Sequence, residues 1–201
     1  MFASARVIRP ALDSIISDGD LAGQTQKLAW LPPWHDGGNG WSWPVEGRGS
    51  LFLNQAARKA WCYNLVGAAQ LNHNYKASVD LDAFCLGPGV KIKTWVSLAT
   101  GNGPDDWVVI ASSSPATAAP GEPVSARTMS CVYVSTGPDD PNLRNNLYLI
   151  VRAEAEGSPT ADFGGGPLGG GHFRNCVVVK SGIPQSAKSG DQPRGRVGVG
   201  R

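Results

Sequence analysis

Apolar and polar residues alternate with period two through much of the middle of the chain. Tyr75–Phe84 sets Val79, Leu81 and Ala83 against Ser78, Asp80 and Asp82. Val90–Leu98 sets Val90, Ile92, Thr94, Val96 and Leu98 against Lys91, Lys93, Trp95 and Ser97. Successive side chains of a strand point to opposite faces, so each segment predicts a half-buried strand. Ser50–Asn54 alternates in the same way. Ala60–Gly67, Trp107–Ser114, Val124–Thr136, Asn146–Glu156 and His172–Lys180 are rich in β-branched and aromatic residues and are bounded by turn signals such as GNGPDD and GPDDPNLRN. Ile15 and Ile16, followed by SDGDLAG, read as a strand entering a loop. Ser112–Pro123 reads as an irregular connection. About eight or nine strands at short spacing predict an all-β fold: an antiparallel two-sheet sandwich, a jelly roll or similar Greek key.

Two regions break the pattern. From Gln24 to Gly49, Trp30, Trp34, Trp41 and Trp43 stand among Pro32, Pro33, Gly37, Gly38, Gly40 and Pro44, which predicts a long aromatic loop region. Glycine runs at 164–166 and 169–171 read either as a mobile hairpin tip or as a surface pressed close to another backbone. The domain plan is an arm at 1–13, a sandwich at 14–181 and a Gly-rich basic tail at 182–201.

Composition narrows the choice. With 26 Gly, 15 Pro and 17% charged residues in 201, a helical bundle is excluded, while seven Trp, four Tyr and five Phe supply the bulk of a packed core. The net charge of +2 conceals an asymmetry. Lys188, Arg194, Arg196 and Arg201 against Asp191 give the tail +3 and leave −1 for residues 1–181. A nearly neutral body offers no basic face for nucleic acid. No apolar run is long enough to span a bilayer and no export signal is evident, so the expectation is cytoplasmic synthesis without membrane insertion. Cys62, Cys85, Cys131 and Cys176 lie far apart in apolar runs; four buried thiols are expected, with a disulfide as the alternative.

The order of these segments resembles the β-jelly-roll carbohydrate-binding modules of the galactose-binding-like superfold, which occur beside cellulases and xylanases and within phage virion proteins. Ile15–Leu21 (IISDGDL) is similar to that family's I-x-N-G-D-F-E opening, Trp30 and Trp41 to its Trp-bearing loop, and Ser50–Leu53 to its S-L-x-L strand. AWCYNLVGAAQLNHNYKASVDL, VKIKTWVSL and FRNCVVV continue the match, which covers about residues 14–181. The chain departs from the family at Leu21-Ala22, in place of Phe-Glu, and at Arg174 and Asn175, where the final strand usually carries acids. The family's structural Ca²⁺ would be left with Asp18 and Asp20, so no metal and no cofactor is expected.

Sugars stack their C–H faces on aromatic rings and hydrogen-bond through amides and carboxylates. The candidate ligand-binding residues are therefore Trp34, Trp41, Trp43 and Trp95, with Asp80 and Asp82. In an extended GWSW, Trp41 and Trp43 would share one side. The alternative is a Trp-rich loop folded as a plug over the open end of the sandwich, with Asp80 and Asp82 forming solvated cross-strand pairs with Lys91 and Lys93. His35, His73 and His172 belong to no catalytic motif, so no enzyme is expected. The expected function is that of a non-catalytic virion-surface structural protein, a capsid decoration, head fibre or tail-associated subunit. It would dock on a capsid or tail protein and adhere to host surface glycans. A homo-oligomer follows by analogy with decoration and fibre proteins. The alternative is a polysaccharide-binding module detached from a secreted glycoside-active enzyme.

Overall fold

The alternating segments become strands, and shorter strands that their pattern did not reveal complete the sheets. A computed structural model describes residues 14–16, 21, 30–35, 41–45, 47–122, 126–160, 163–164 and 166–182, with 31–35, 41–45 and 104 as backbone. Twelve strands are found among them: β1 (Trp30–His35), β2 (Trp41–Val45), β3 (Arg48–Leu53), β4 (Lys59–Ala68), β5 (His73–Leu81), β6 (Phe84–Cys85), β7 (Val90–Gly101), β8 (Val108–Ser112), β9 (Ala116–Ala118), β10 (Arg127–Tyr133), β11 (Asn146–Gly157) and β12 (Gly169–Gly182). They form two antiparallel sheets. The first runs β1-β4-β11-β7-β8, with β9 on β7; the second runs β10-β5-β12-β3-β2, with β6 on β12. The expected all-β sandwich is what forms. The arm and all but the first residue of the tail lie outside the described residues, as do Asp18 and Asp20.

The core is the set of inward positions of both sheets. Val79 and Leu81 from β5 meet Ile92, Val96 and Leu98 from β7 and Leu149 and Val151 from β11. Trp30 is fully buried, and its ring lies 5.2 Å from that of Phe173 at 48°. The four cysteines are free and buried within this core. Burial pushes all four thiols up, that of Cys131 to about 11, so none is a ready thiolate.

The expected loop from Gln24 to Gly49 is corrected: it contains β1 and β2. Both are edge strands, and each has a register shift at its prolines, between Leu31 and Trp34 in β1 and between Ser42 and Val45 in β2. Proline cannot donate to a ladder, so it is tolerated at an edge and at a bulge, where it hides the period from sequence inspection. The glycine run at 169–171 settles on the second of its two readings. It begins β12, three residues earlier than the apolar pattern suggested, and packs tightly against neighbouring backbone.

The connection after β10 is held by a buried carboxylate. Asp140, 1% exposed, accepts hydrogen bonds from Tyr133 Oη (2.7 Å), Thr136 N (2.9 Å) and Asn142 N (3.0 Å). Burial alone would raise its pKa, but these donors outweigh it and hold the carboxyl down at about 2. An unfolded Asp titrates near ~3.9. The folded value is the lower one, so the stabilisation is complete above about pH 4 and is lost as pH falls towards 2. Asp140→Asn is expected to remove this component. Chemical denaturation between pH 2 and pH 5 should show a steeper acid loss for the wild type than for the variant; parallel curves would refute the assignment.

Candidate functional site

Outward positions of the first sheet carry a second cluster of apolar side chains, separate from the sandwich core. Ala99, Tyr148 and Ile150 are buried there beneath the partly buried Trp61, Tyr63 and Trp107. The cause is strand alternation. In β4 the inward Ala60, Cys62 and Asn64 are buried, while Trp61 and Tyr63 face outward. Pairing then assembles rows across the face. Arg152 of β11 is in register with Trp61 of β4 on one side and with Trp95 of β7 on the other. One row along, Ile150 lies between Tyr63 and Ser97.

Trp107 joins this cluster from the β7–β8 connection. The Asp106 carboxylate accepts hydrogen bonds from Asn102 N (2.8 Å), Gly103 N (2.9 Å) and Asn102 Nδ2 (3.1 Å), which tie the turn together. Hydrogen bonding from Gly103, then Asn102, lowers its pKa against a smaller opposing effect of desolvation. The fixed turn delivers the Trp107 ring to within 4.7 Å of Tyr63, edge-on at 81°, and 5.4 Å of Tyr148. Tyr63 and Tyr148 meet at 5.9 Å and 74°. Trp107 Nε1 and Arg152 Nε are buried and have no hydrogen-bond partner. An unpaired buried donor costs about 1–3 kcal/mol. Burial also raises the Tyr63 pKa, with Tyr148 and Asp105 adding to it, so the phenol stays neutral.

The ends of these strands are charged. Lys59 pairs with Glu154 at 3.4 Å, and Lys93 pairs with Glu156. The expected pairing of Lys91 and Lys93 with Asp80 and Asp82 is corrected, because β7 pairs with β11 in the first sheet whereas β5 belongs to the second. Strand period predicts which residues share a face, but not which strand comes to lie alongside.

Asp80 and Asp82 sit with Arg48, His172 and Arg174 around a shallow cavity of about 130 Å³ on the second sheet. Both carboxylates are engaged by protein donors. Asp80 accepts from Thr128 Oγ1 (2.6 Å) and Asn175 Nδ2 (2.6 Å). Asp82 accepts from His172 N (2.7 Å) and lies 3.1 Å from His172 Nδ1, while the imidazole stacks on Phe84 at 4.9 Å. Asn175 reaches Asp80 from a bulge in β12, at a left-handed φ of 50°. The position where the resembled family carries an acid here holds an amide serving Asp80.

The expected site is therefore divided. Trp95 belongs to the first sheet, whereas Asp80 lies in β5 of the opposite one and Asp82 just beyond the end of β5. Trp34 lies in β1 in register with Trp61, and Trp41 lies in β2 in register with Leu51. Trp43 lies in β2, and the side chains of all three fall outside the described residues. Sequence inspection passed over Trp61, Tyr63, Trp107, Tyr148 and Arg152. The signal was present in AWCYNLVG, where Trp61 and Tyr63 alternate with Cys62 and Asn64.

No protein-family model and no curated protein matches the chain. Among solved structures it is similar to a cyclase from Fischerella sp., with 13% identity and a TM-score of 0.43 over 86% of this chain and 98% of that one. It is also similar to the enzymatically active domain of tailspike protein 4 of bacteriophage CBA120, with 11% identity and a TM-score of 0.46 over 87% of this chain and 22% of that one. A third similar structure is the CBM22-1 and GH10 modules of a Clostridium thermocellum endo-1,4-β-D-xylanase complexed with xylohexaose, with 15% identity and a TM-score of 0.39 over 85% and 28%. Identities this low go with a loose likeness of β architecture and no more. The cyclase, matched over nearly its whole length, is named as an enzyme, and the tailspike domain is described as enzymatically active. The expectation that this chain is not an enzyme is corrected accordingly. Missing signatures such as H-E-x-x-H exclude particular mechanisms, whereas a pair of carboxyls can work without any local motif.

Proposed function

We propose that this protein binds carbohydrate on the outer face of the first sheet, and that it does so at a virion surface, docked on a capsid or tail protein. The observation that carries the binding is the aromatic cluster of Trp61, Tyr63, Trp107 and Tyr148, which stands outside the sandwich core with Trp95 on the same face. The partly buried rings of Trp61, Tyr63 and Trp107 offer apolar surface to sugar C–H groups, with Tyr148 buried beneath them. The cluster is continuous across β4, β11 and β7, the central strands of a rigid sheet, so its rings are held in place before any ligand arrives. The virion setting is supported by the resemblance of residues 14–181 to modules that occur within phage virion proteins.

Affinity electrophoresis through gels containing soluble neutral polysaccharides tests the binding. Wild-type protein should be retarded by at least one of xylan, β-glucan or galactomannan. Truncating a central aromatic anchor of an interface costs about 2 kcal/mol or more, so Trp61→Ala should weaken binding roughly 30-fold or more. Trp95→Ala should weaken it less. Unchanged mobility of the wild type in every one of these gels and in a polygalacturonate gel, or retardation indifferent to Trp61→Ala in a variant that keeps its fold, would refute the assignment. Reducing-end release in the same mixtures reports any hydrolysis. Mass spectrometry of purified virions, with this chain in fixed stoichiometry to a major capsid protein, tests the setting.

A further inference from the structure

Among the described residues, Arg152 is a cation of the aromatic face with no ion-pair partner. Arg152 stands in register between Trp61 and Trp95, in the middle of the sheet. Its Nε is buried without a hydrogen-bond partner, as is Trp107 Nε1. Glu154, two residues along on the same face, is taken by Lys59, and Glu156 by Lys93. Among the described residues no carboxylate lies within ion-pair distance of Arg152. Lys59, Lys91, Lys93 and Arg152 against Glu154 and Glu156 leave these rows with an excess of positive charge.

We propose that Arg152 makes this face selective for carboxylate-bearing saccharides, its guanidinium receiving the sugar carboxylate while the flanking aromatic residues receive the ring. The inference rests on the carbohydrate-binding reading above and adds the class of sugar. A planar guanidinium presents parallel donors that match the two oxygens of a carboxylate, and such charge-assisted bonds are about twice as strong as neutral ones. Partial burial strengthens them further, because less water screens the pair. Burial also lowers the pKa of Arg152, but arginine remains charged at neutral pH. A carboxylate neutralises the guanidinium charge, which a neutral hydroxyl cannot do.

Polygalacturonate and its fully methyl-esterified form share one backbone and differ in carboxylate charge, which makes them the probe pair. Alginate and hyaluronan serve as further acidic probes. Isothermal titration of the full-length protein should give at least 10-fold tighter binding to one of the acidic polymers, and for polygalacturonate that margin should hold over its ester. Arg152→Gln should bring the ratio of acid to ester close to one, and Arg152→Lys should restore part of it, with thermal unfolding used to confirm that each variant folds. Equal binding of acid and ester by the wild type overturns the inference, and so does a preference that persists in Arg152→Gln. In either case, weakening of both forms by Trp61→Ala leaves the carbohydrate-binding reading standing. Absence of binding to every acidic polymer also overturns the inference, and the neutral-polysaccharide gels then decide the broader reading.

Discussion

Gly170→Ala is expected to lower the thermal unfolding midpoint by roughly 6–12 °C, from about 3 kcal/mol of lost stability at the 2–4 °C per kcal/mol typical of a chain this size. Gly170 pairs with Phe52 of β3 and with Phe84 of β6, so β12 begins where three strands converge. A Cβ at this position would lie 1.8 Å from the Leu51 carbonyl oxygen and 3.2 Å from the Phe52 Cα. The obstruction is backbone and cannot rotate away. Relief requires β12 to move off β3, which loosens the register of the second sheet. Overpacking of a side chain against side chains costs about 1–3 kcal/mol; a clash with a ladder belongs at the upper end or beyond. A midpoint within 2 °C or so of wild type would show that the strands can separate there at little cost, contrary to the tight pairing described.

Phe173→Ala should cost about 3–5 kcal/mol, since it removes a ring that is 1% exposed and packed on the fully buried Trp30. That is a large share of the ~5–15 kcal/mol that holds a typical domain folded. A second variant separates this mechanism from general damage. A Cβ at Gly49 would lie 2.3 Å from Phe173 Cζ, so Gly49→Ala alone should be destabilising. In the Phe173→Ala background the obstruction has gone and the methyl partly fills the cavity. Denaturant titrations of the four proteins should therefore be non-additive, with Gly49→Ala less harmful in the double variant. Strict additivity would mean that Gly49 and Phe173 do not share the space described.

Alternation made the inward residues of β5 and β7 readable, and with them the class of fold. What it could not supply was adjacency. Asp80 and Trp95 both read as outward, and both are, but they occupy different sheets because the chain crosses between sheets after β6. Pairing is decided by packing over the whole sandwich, which a local period does not encode. The prolines of β1 and β2 hid those strands, and the glycines of β12 hid its first three residues, each for a backbone reason and not a side-chain one. The aromatic face was partly legible: Trp61 and Tyr63 alternate visibly with buried residues. Trp107 was not, since its place on Tyr63 depends on the Asp106-held turn.

The most direct test of the central claim is a heteronuclear NMR titration that follows assigned indole N–H signals as xylohexaose and an oligogalacturonate are added in separate series. A ligand seated on the first sheet should shift the indole resonances of Trp61, Trp95 and Trp107, together with backbone amides of β4, β11 and β7. It should leave those of the fully buried Trp30 and of the Asp80–His172 region unmoved. Shifts confined to β5, β3 and β12 around Phe52, Phe84 and His172, or no shifts with either sugar at millimolar concentration, would contradict it.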